Sequence, residues 1–210
     1  MEKLKSSITN MVLVLVGVAF ITGSILAYVN HVTETPIALQ KEKALADGIQ
    51  SVMGGGNIVV AQIDTVRQND EKGKELTYVI YQAQDSQKKD LGTAVESTVS
   101  AFGGDLKVLV GFNHQGDILG YTILEHAETP GLGAKADKWF QKEGKGNVIG
   151  KNPQKALTVK KDGGEIDAIT ASTITSRAFL LAVNNAYKAY MTTPADGESG
   201  ASKKGKGGKK

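Results

Sequence analysis

The chain has 210 residues, room for one domain of ordinary size plus accessories, and this excludes a large multi-domain machine. Its 40% hydrophobic and 22% charged residues fit a folded core rather than a disordered polymer, while the lack of any cysteine excludes disulfides, thiolate metal sites, cysteine-held iron–sulfur clusters, a cysteine nucleophile and an acylated lipoprotein cysteine. The net charge of +3 belongs entirely to the C-terminal tail, where Lys203, Lys204, Lys206, Lys209 and Lys210 outnumber Asp196 and Glu198, so the body is neutral overall and no nucleic-acid partner is expected.

From Ser6 to Thr33 there is no Asp, Glu, Lys or Arg, and Met11 to Val29 reads MVLVLVGVAFITGSILAYV. At about 1.5 Å per residue such a run covers close to the ~30 Å hydrocarbon layer, with Tyr28, Asn30 and His31 as a polar boundary. A cleaved signal peptide is the competing reading, but its apolar region is usually about 7 to 15 residues long and ends in small residues, and no A-x-A follows here. The expectation is therefore a transmembrane helix at 11–29 behind a cytoplasmic arm at 1–10. Lys3 and Lys5 lie closer to the span than Lys41 and Lys43, and Glu34 intervenes on the far side, so the rest of the chain is expected outside the cytoplasm.

Beyond the span, Thr35-Pro36 resembles an N-cap with proline at the first helical position, and Ile37, Leu39, Ala44, Leu45, Ile49 and Val52 recur at helical spacing. This predicts a membrane-proximal helix within 30–56, reaching Met53 and closed by Gly54-Gly55-Gly56. Five alternating or β-branched runs follow, Ile58 to Val66, Leu76 to Gln82, Thr93 to Ala101, Leu106 to Phe112 and Ile118 to Leu124. Turn signals at Gln68-Asn69-Asp70, Gly103-Gly104 and His114-Gln115-Gly116 separate several of them, which predicts an antiparallel sheet with the last two runs paired as a hairpin through Asn113 to Asp117. Phe179, Val183, Ala186, Tyr187 and Tyr190 mark an amphipathic helix packed on that sheet. The predicted fold class is α+β, with a domain at 57–194 and a disordered Lys/Gly-rich tail at 195–210.

Two segments stand out chemically. Glu128-Thr129-Pro130-Gly131-Leu132-Gly133 follows a predicted strand, and its glycines permit positive φ and close backbone approach; alone it also reads as a structural turn. Thr170-Ala171-Ser172-Thr173-Ile174-Thr175-Ser176 precedes the last helix with five hydroxyls in seven residues, more than one N-cap requires. Unpaired amides and the positive dipole end at a helix start stabilise a phosphate without any lysine, although a capping cluster would look the same. His126 precedes the first segment, where it could hydrogen-bond a ligand but reads more simply as a structural histidine, while His31 and His114 read as interface and hairpin residues. Three scattered histidines without clustered carboxylates predict no metal site. Trp139 with Phe140 could stack on a planar ligand but reads first as a core or interface pair, and Lys135 and Lys138 could contact a phosphate but read first as a solvated face.

The pair HAETPGLG at 126–133 and DAITASTITSRA at 167–178 resembles the FMN-binding domain found in the G subunit of the Rnf complex. That family belongs to an ion-translocating, ferredoxin- and NAD-linked electron transport complex, and its close relative is the C subunit of the sodium-pumping NADH:quinone reductase. The likeness covers the span, the strands, both motifs and the closing helix, and leaves out the lysine tail. In the family the second motif reads D-x-x-[ST]-G-A-T-x-T, and a flavin transferase using FAD joins its last threonine to the phosphate of FMN. That threonine here is Thr175, with Asp167, Thr170 and Thr173 at matching positions; Ala171 and Ser172 stand where the pattern reads Gly-Ala. A methyl at Ala171 restricts φ and crowds whatever approaches.

The resemblance thus implies a single N-terminal transmembrane helix followed by an antiparallel-sheet FMN-binding domain with packed helices, seated in the cell inner membrane with its bulk periplasmic. It implies FMN held covalently by Thr175 and contacted by Thr170, Ala171, Ser172, Thr173, Ser176, Glu128, Thr129, Gly131, Leu132 and Gly133, with no catalytic side chain. The flavin supplies the redox chemistry and the protein its position and potential. The implied role is relaying electrons, coupled to sodium or proton translocation, among the membrane and iron–sulfur subunits of an Rnf-type complex. The C subunit of the quinone reductase, which is generally longer, is the alternative within the class. A flavin-free membrane-anchored assembly module, motivated by Ala171-Ser172, is the alternative outside it, followed by a tethered binding domain for an unrelated ligand.

Overall fold

The computed structural model describes residues 8–69 and 75–192. The start of the predicted cytoplasmic arm, Asp70 of the predicted turn and the lysine-rich tail lie outside the described residues. One helix, α1, runs through Ile8–Val52, and the part up to Ala44 forms a unit by itself. Its apolar side chains are exposed, Leu15, Phe20 and Leu26 among them, and the helix is long and apolar enough to cross a membrane. Thr22 and Ser24 donate to the Val18 and Phe20 carbonyls at 2.8 Å, so these hydroxyls add no unpaired donor to the apolar surface of the helix.

The predicted helix start at Thr35-Pro36 is not observed: Pro36 lies inside α1. Proline removes one ladder bond and crowds the carbonyl four residues earlier. Residues 30–35 contain no glycine to release the chain, and the helix propagates past it. The three glycines do end α1, with φ of 93°, 81° and 100° at Gly54, Gly55 and Gly56, values open to glycine. The Gly55 amide donates to the Gln50 carbonyl at 2.8 Å, closing the last turn.

The second unit begins at Leu45. Strands β1 (Ile58–Asn69), β2 (Glu75–Asp85), β3 (Asp90–Ser100), β4 (Asp105–Phe112) and β5 (Ile118–Glu125) pair antiparallel in that spatial order. Each predicted run falls on one of them, with Ala101 alone beyond a strand end. The β4–β5 hairpin is tied by Asn113, whose Oδ1 accepts from the Gln115 and Asp117 amides at 2.9 and 2.8 Å.

Both faces of the sheet are covered. On one, the last turns of α1 bring Ile49, Val52 and Met53 against Tyr81, Ala83, Ala94 and Leu109. They fit because Gly111 and Gly120, opposite each other on β4 and β5, leave the backbone bare: a Cβ at either would meet Val52, 2.6 Å from its carbonyl oxygen at Gly111. On the other face lies α3 (Thr173–Thr192), which buries Phe179, Val183, Ala186 and Tyr187 from the predicted stripe. Between β5 and α3 the chain makes a tight turn at Gly133–Lys135, a single helical turn α2 (Ala136–Trp139) and an irregular stretch that adds Phe140, Val148, Val159, Ile166 and Ile169 to the same core.

Two buried phenols, one in the cluster on each face of the sheet, make the fold sensitive to alkali. Burial, then the nearby Glu96 carboxylate, pushes Tyr81 up to about 12, and burial likewise raises Tyr121, whose hydroxyl donates to the Ala136 carbonyl at 2.6 Å. An unfolded phenol loses its proton near pH ~10, so the stability present below that pH is lost as pH climbs through the folded value. The melting temperature is expected to hold to about pH 10 and then fall toward pH 12. A Tyr81→Phe variant with an equally steep fall would show that this phenol is not a cause.

Candidate functional site

The two sequence segments meet at a single hydrogen bond. Thr175 Oγ1, in the first turn of α3, donates to Glu128 Oε2 at 2.8 Å, across 47 positions of chain. Both residues are buried, Thr175 at 1% exposure and Glu128 at 7%. The other carboxylate oxygen, Oε1, accepts from the amides of Phe102 at 2.9 Å and Gly103 at 3.1 Å. Glu128 is thus fixed from the β3–β4 turn on one side and turned toward the hydroxyl on the other. Carboxylates held by backbone amides are strongly oriented.

Gly133 closes the third side. A Cβ there would run into Glu128 Oε2 and come within 2.8 Å of Thr175 Oγ1, so only a glycine lets the loop lie this close to the pair. Gly131 has φ of 76° and open space around it, which makes its role one of backbone shape. Thr129, whose carbonyl accepts from the Leu132 and Ala134 amides, is exposed with Pro130, Gly131 and Leu132.

The hydroxyl-rich segment divides into distinct tasks. Ser176 Oγ donates to the Ser172 carbonyl and accepts from the Ile169 amide, both at 2.9 Å, so this fully buried hydroxyl is committed to the turn entering α3. The Ser176 amide, bonded to the Ser172 carbonyl at 3.0 Å, opens the helical ladder. The amides of Thr173, Ile174 and Thr175 precede it, where a helix leaves donors without intrahelical partners. Thr173 Oγ1 accepts from Lys161 Nζ at 3.3 Å, and Thr170 is exposed. Nearby, the Arg177 guanidinium meets Asp162 at 2.6 and 2.7 Å and holds its carboxyl below the usual range.

Ala171 adopts φ of 61°, the left-handed conformation that costs a residue with a Cβ about 1–2 kcal/mol. Ala171→Gly is expected to remove that strain. After allowance for the greater freedom of an unfolded glycine, it should stabilise the domain by about 0.5–1 kcal/mol, read as a rise in denaturation midpoint. An unchanged or lower midpoint would show that the strain is relieved elsewhere.

Several parts of this arrangement were not read from the sequence. The Phe102 and Gly103 amides belong to a segment read only as a turn, and Gly103 is needed there because a Cβ would strike the Ala127 carbonyl. A glycine doublet is the signal that could have pointed to such an approach. Trp139 Nε1 donates to the Asp167 carbonyl at 2.8 Å, bracing α2 against the hydroxyl-rich segment, while Phe140 is core, stacked on Phe179 at 4.2 Å. His126 Nδ1 accepts from the Glu128 amide at 3.2 Å, a local structural bond. A surface cavity of about 490 Å³ starts at Gly131 and passes Lys135, Lys138, Trp139 and Lys145, a size that suits a small ligand. A larger one, about 740 Å³, lies between the end of β1 and the last turns of α3, several helical turns from Thr175.

A helix long enough to cross a membrane and an α+β domain with a buried threonine hydroxyl at a helix start define a class, and residues 101–188 match the FMN-binding domain family. The chain is 34% identical to the G subunit of the ion-translocating oxidoreductase complex of Shewanella baltica, over 80% of this chain and 82% of that protein. It is 35% identical to the protein of the same name in Yersinia pestis, over 80% and 83% of the two chains. For the Vibrio cholerae protein the identity is 33%, over 83% and 86%. The chain belongs to this family, the G subunits of ion-translocating oxidoreductase complexes.

Proposed function

We propose that this protein is the flavin-bearing electron-transfer subunit of an Rnf-type ion-translocating oxidoreductase complex, with FMN joined through its phosphate to Thr175. The observation that carries the reading is the Thr175 hydroxyl, held by Glu128 at the mouth of α3 beneath a loop that only Gly133 allows so close. The residues suit the group. The first-turn amides of α3 favour a phosphate, with Lys161 beside Thr173 as a nearby cation, and the cavity running from Gly131 along Trp139 suits a planar ring. When bound, FMN supplies electron transfer. The chain's residues fix its position through Thr175, set the loop by Gly131 and Gly133, and tie α2 to the chain entering the hydroxyl-rich segment by the Trp139 bond to Asp167.

In this reading α1 anchors the chain in the cell inner membrane, N-terminus in the cytoplasm and domain outside, and a covalent link keeps the cofactor from being lost there. A flavin transferase loads it, and the membrane and iron–sulfur subunits of the complex exchange electrons with it while sodium or protons are moved. Tryptic peptides of the full chain from cells with active transferase test this. The peptide containing Thr175 is expected to be flavin-fluorescent and heavier by an FMN ester, and Thr175→Ala to abolish both. A bare wild-type peptide would instead support the flavin-free assembly module.

A further inference from the structure

Charge is unevenly divided along a chain whose body is neutral overall. Residues 45–134 hold twelve acidic residues against six basic ones, while residues 135–161 hold eight lysines against Asp137 and Glu143. Where the domain's own acids can reach, those lysines are answered: Lys160 Nζ meets Asp167 at 2.8 Å and Lys151 Nζ meets Glu165 at 3.9 Å. Lys135, Lys138, Lys142 and Lys145 are exposed and make no ion pair among the described residues. Lys135, Lys138 and Lys145 line the cavity of about 490 Å³ beside Trp139, and Lys142 is next to Glu143 of the same lining. We infer that this lysine rim docks an acidic face of a neighbouring subunit that exchanges electrons with this one; this rests on reading the protein as flavin-bearing. The contact itself forms no bond. It brings together two redox groups, one of which is oxidised as the other is reduced.

A charged run on a loose segment would be a solvated face, but this one is held in shape. The Gly144 amide donates to the Gln141 carbonyl at 2.8 Å, Gly146 to the Trp139 carbonyl at 3.1 Å and Val148 to the Phe140 carbonyl at 3.0 Å. A Cβ at Gly144 would strike the Trp139 carbonyl, so the turn that carries Lys142 and Lys145 depends on glycine. Like charges fixed around one hollow repel each other, and a partner's carboxylates relieve that repulsion. A rim already in place also loses little freedom on binding. Its centre is apolar, with half-buried Trp139 in the cavity and exposed Leu132 next to Gly131 at one end, the arrangement of an interface with an apolar middle and a polar edge. Electron-transfer partners meet through small contacts steered by charge, and the acid excess of residues 45–134 turns an acidic partner toward this rim. A sheet of anionic lipid headgroups matches it less well, because the surface is hollow and sets Asp137 and Glu143 among the lysines.

The test uses the whole complex in its membrane, treated with a carbodiimide, which joins an ammonium group to a carboxylate already in contact with it. The Lys160–Asp167 pair is the internal control. Peptide mass spectrometry is expected to find Lys138, Lys142 or Lys145 joined to an aspartate or glutamate of another subunit, at a yield that falls several-fold in about 0.5 M salt. Lys142 does not line the cavity, so reversing its charge leaves that hollow intact. Lys142→Glu is expected to keep the wild-type melting temperature and flavin content. Its flavin should nonetheless exchange electrons with the rest of the complex about 3–10-fold more slowly at low salt, a difference that shrinks at high salt. Cross-links confined to this chain's own carboxylates, or a Lys142→Glu rate equal to the wild type at low salt, overturn the proposal. So do vesicles of phosphatidylglycerol holding this chain alone, if they shield the four lysines from acetylation as fully as the complex does, since the rim then faces lipid. If Lys142→Glu does not enter the complex, the wild-type cross-links decide. A cross-linked chain without flavin removes the flavin-bearing reading and this proposal with it; a flavin-bearing chain without the cross-link removes the docking alone.

Discussion

Gly133→Ala is expected to destabilise the domain by about 1–3 kcal/mol and to leave most chains without flavin. The added methyl has nowhere to go: it would overlap Glu128 Oε2 and crowd Thr175 Oγ1 at 2.8 Å. An exposed glutamate would swing aside at little cost, but this one is buried and its other oxygen is tied to the Phe102 and Gly103 amides. Either the carboxylate leaves Thr175 or the loop lifts away from both, and each breaks the arrangement that orients the hydroxyl. The melting temperature should fall by a few degrees, at roughly 2–4 °C per kcal/mol for a domain of this size. Flavin absorbance per chain should fall far more than the folded fraction. Gly131→Ala isolates the other kind of glycine, with open space but φ of 76°, and should cost about 1 kcal/mol through strain alone. Equal losses of flavin in the two variants would argue against the close approach at Gly133 as the critical contact.

Local patterns made most of the elements legible. An uncharged apolar run gave the front of α1, alternation gave the five strands, and the spacing of Phe179, Val183, Ala186 and Tyr187 gave the buried face of α3. Pro36 misled, because proline at a helix start and proline inside a long helix look alike when the preceding residues are read only for caps. The irregular stretch from Phe140 to Ile169 gave no periodic signal, since its buried side chains are fixed by α3 and the sheet rather than by a repeat of its own. At the site, resemblance brought the two segments together, and composition alone left each as a turn or a cap. The bond between Glu128 and Thr175, the amides of Phe102 and Gly103 beneath it and the Trp139 brace join residues 25 to 47 positions apart. No local spacing encodes such contacts. Ala171 is the intermediate case: that a methyl would restrict φ is plain from the sequence, and φ of 61° shows that the restriction falls where it costs energy.

Phe179→Ala should have the largest effect on stability, about 3–5 kcal/mol, because it empties the centre of an aromatic cluster. The ring is fully buried, stacked on Phe140 at 4.2 Å with an interplanar angle of 5° and edge-on to Tyr121 at 4.7 Å. Tyr121 holds α2 through the Ala136 carbonyl and accepts from the Phe140 amide, so the cavity would loosen the segment that carries Gly133 as well as α3. Thr175 lies one helical turn before Phe179 on the same face, and the ring therefore also sets the depth at which the hydroxyl meets Glu128. The denaturation midpoint should drop steeply, while loading with flavin at low temperature should recover in proportion to the folded fraction. A Phe179→Ala chain that melts within about 1 kcal/mol of the wild type would mean that the cluster relaxes around the gap and that the seat of α3 is set elsewhere.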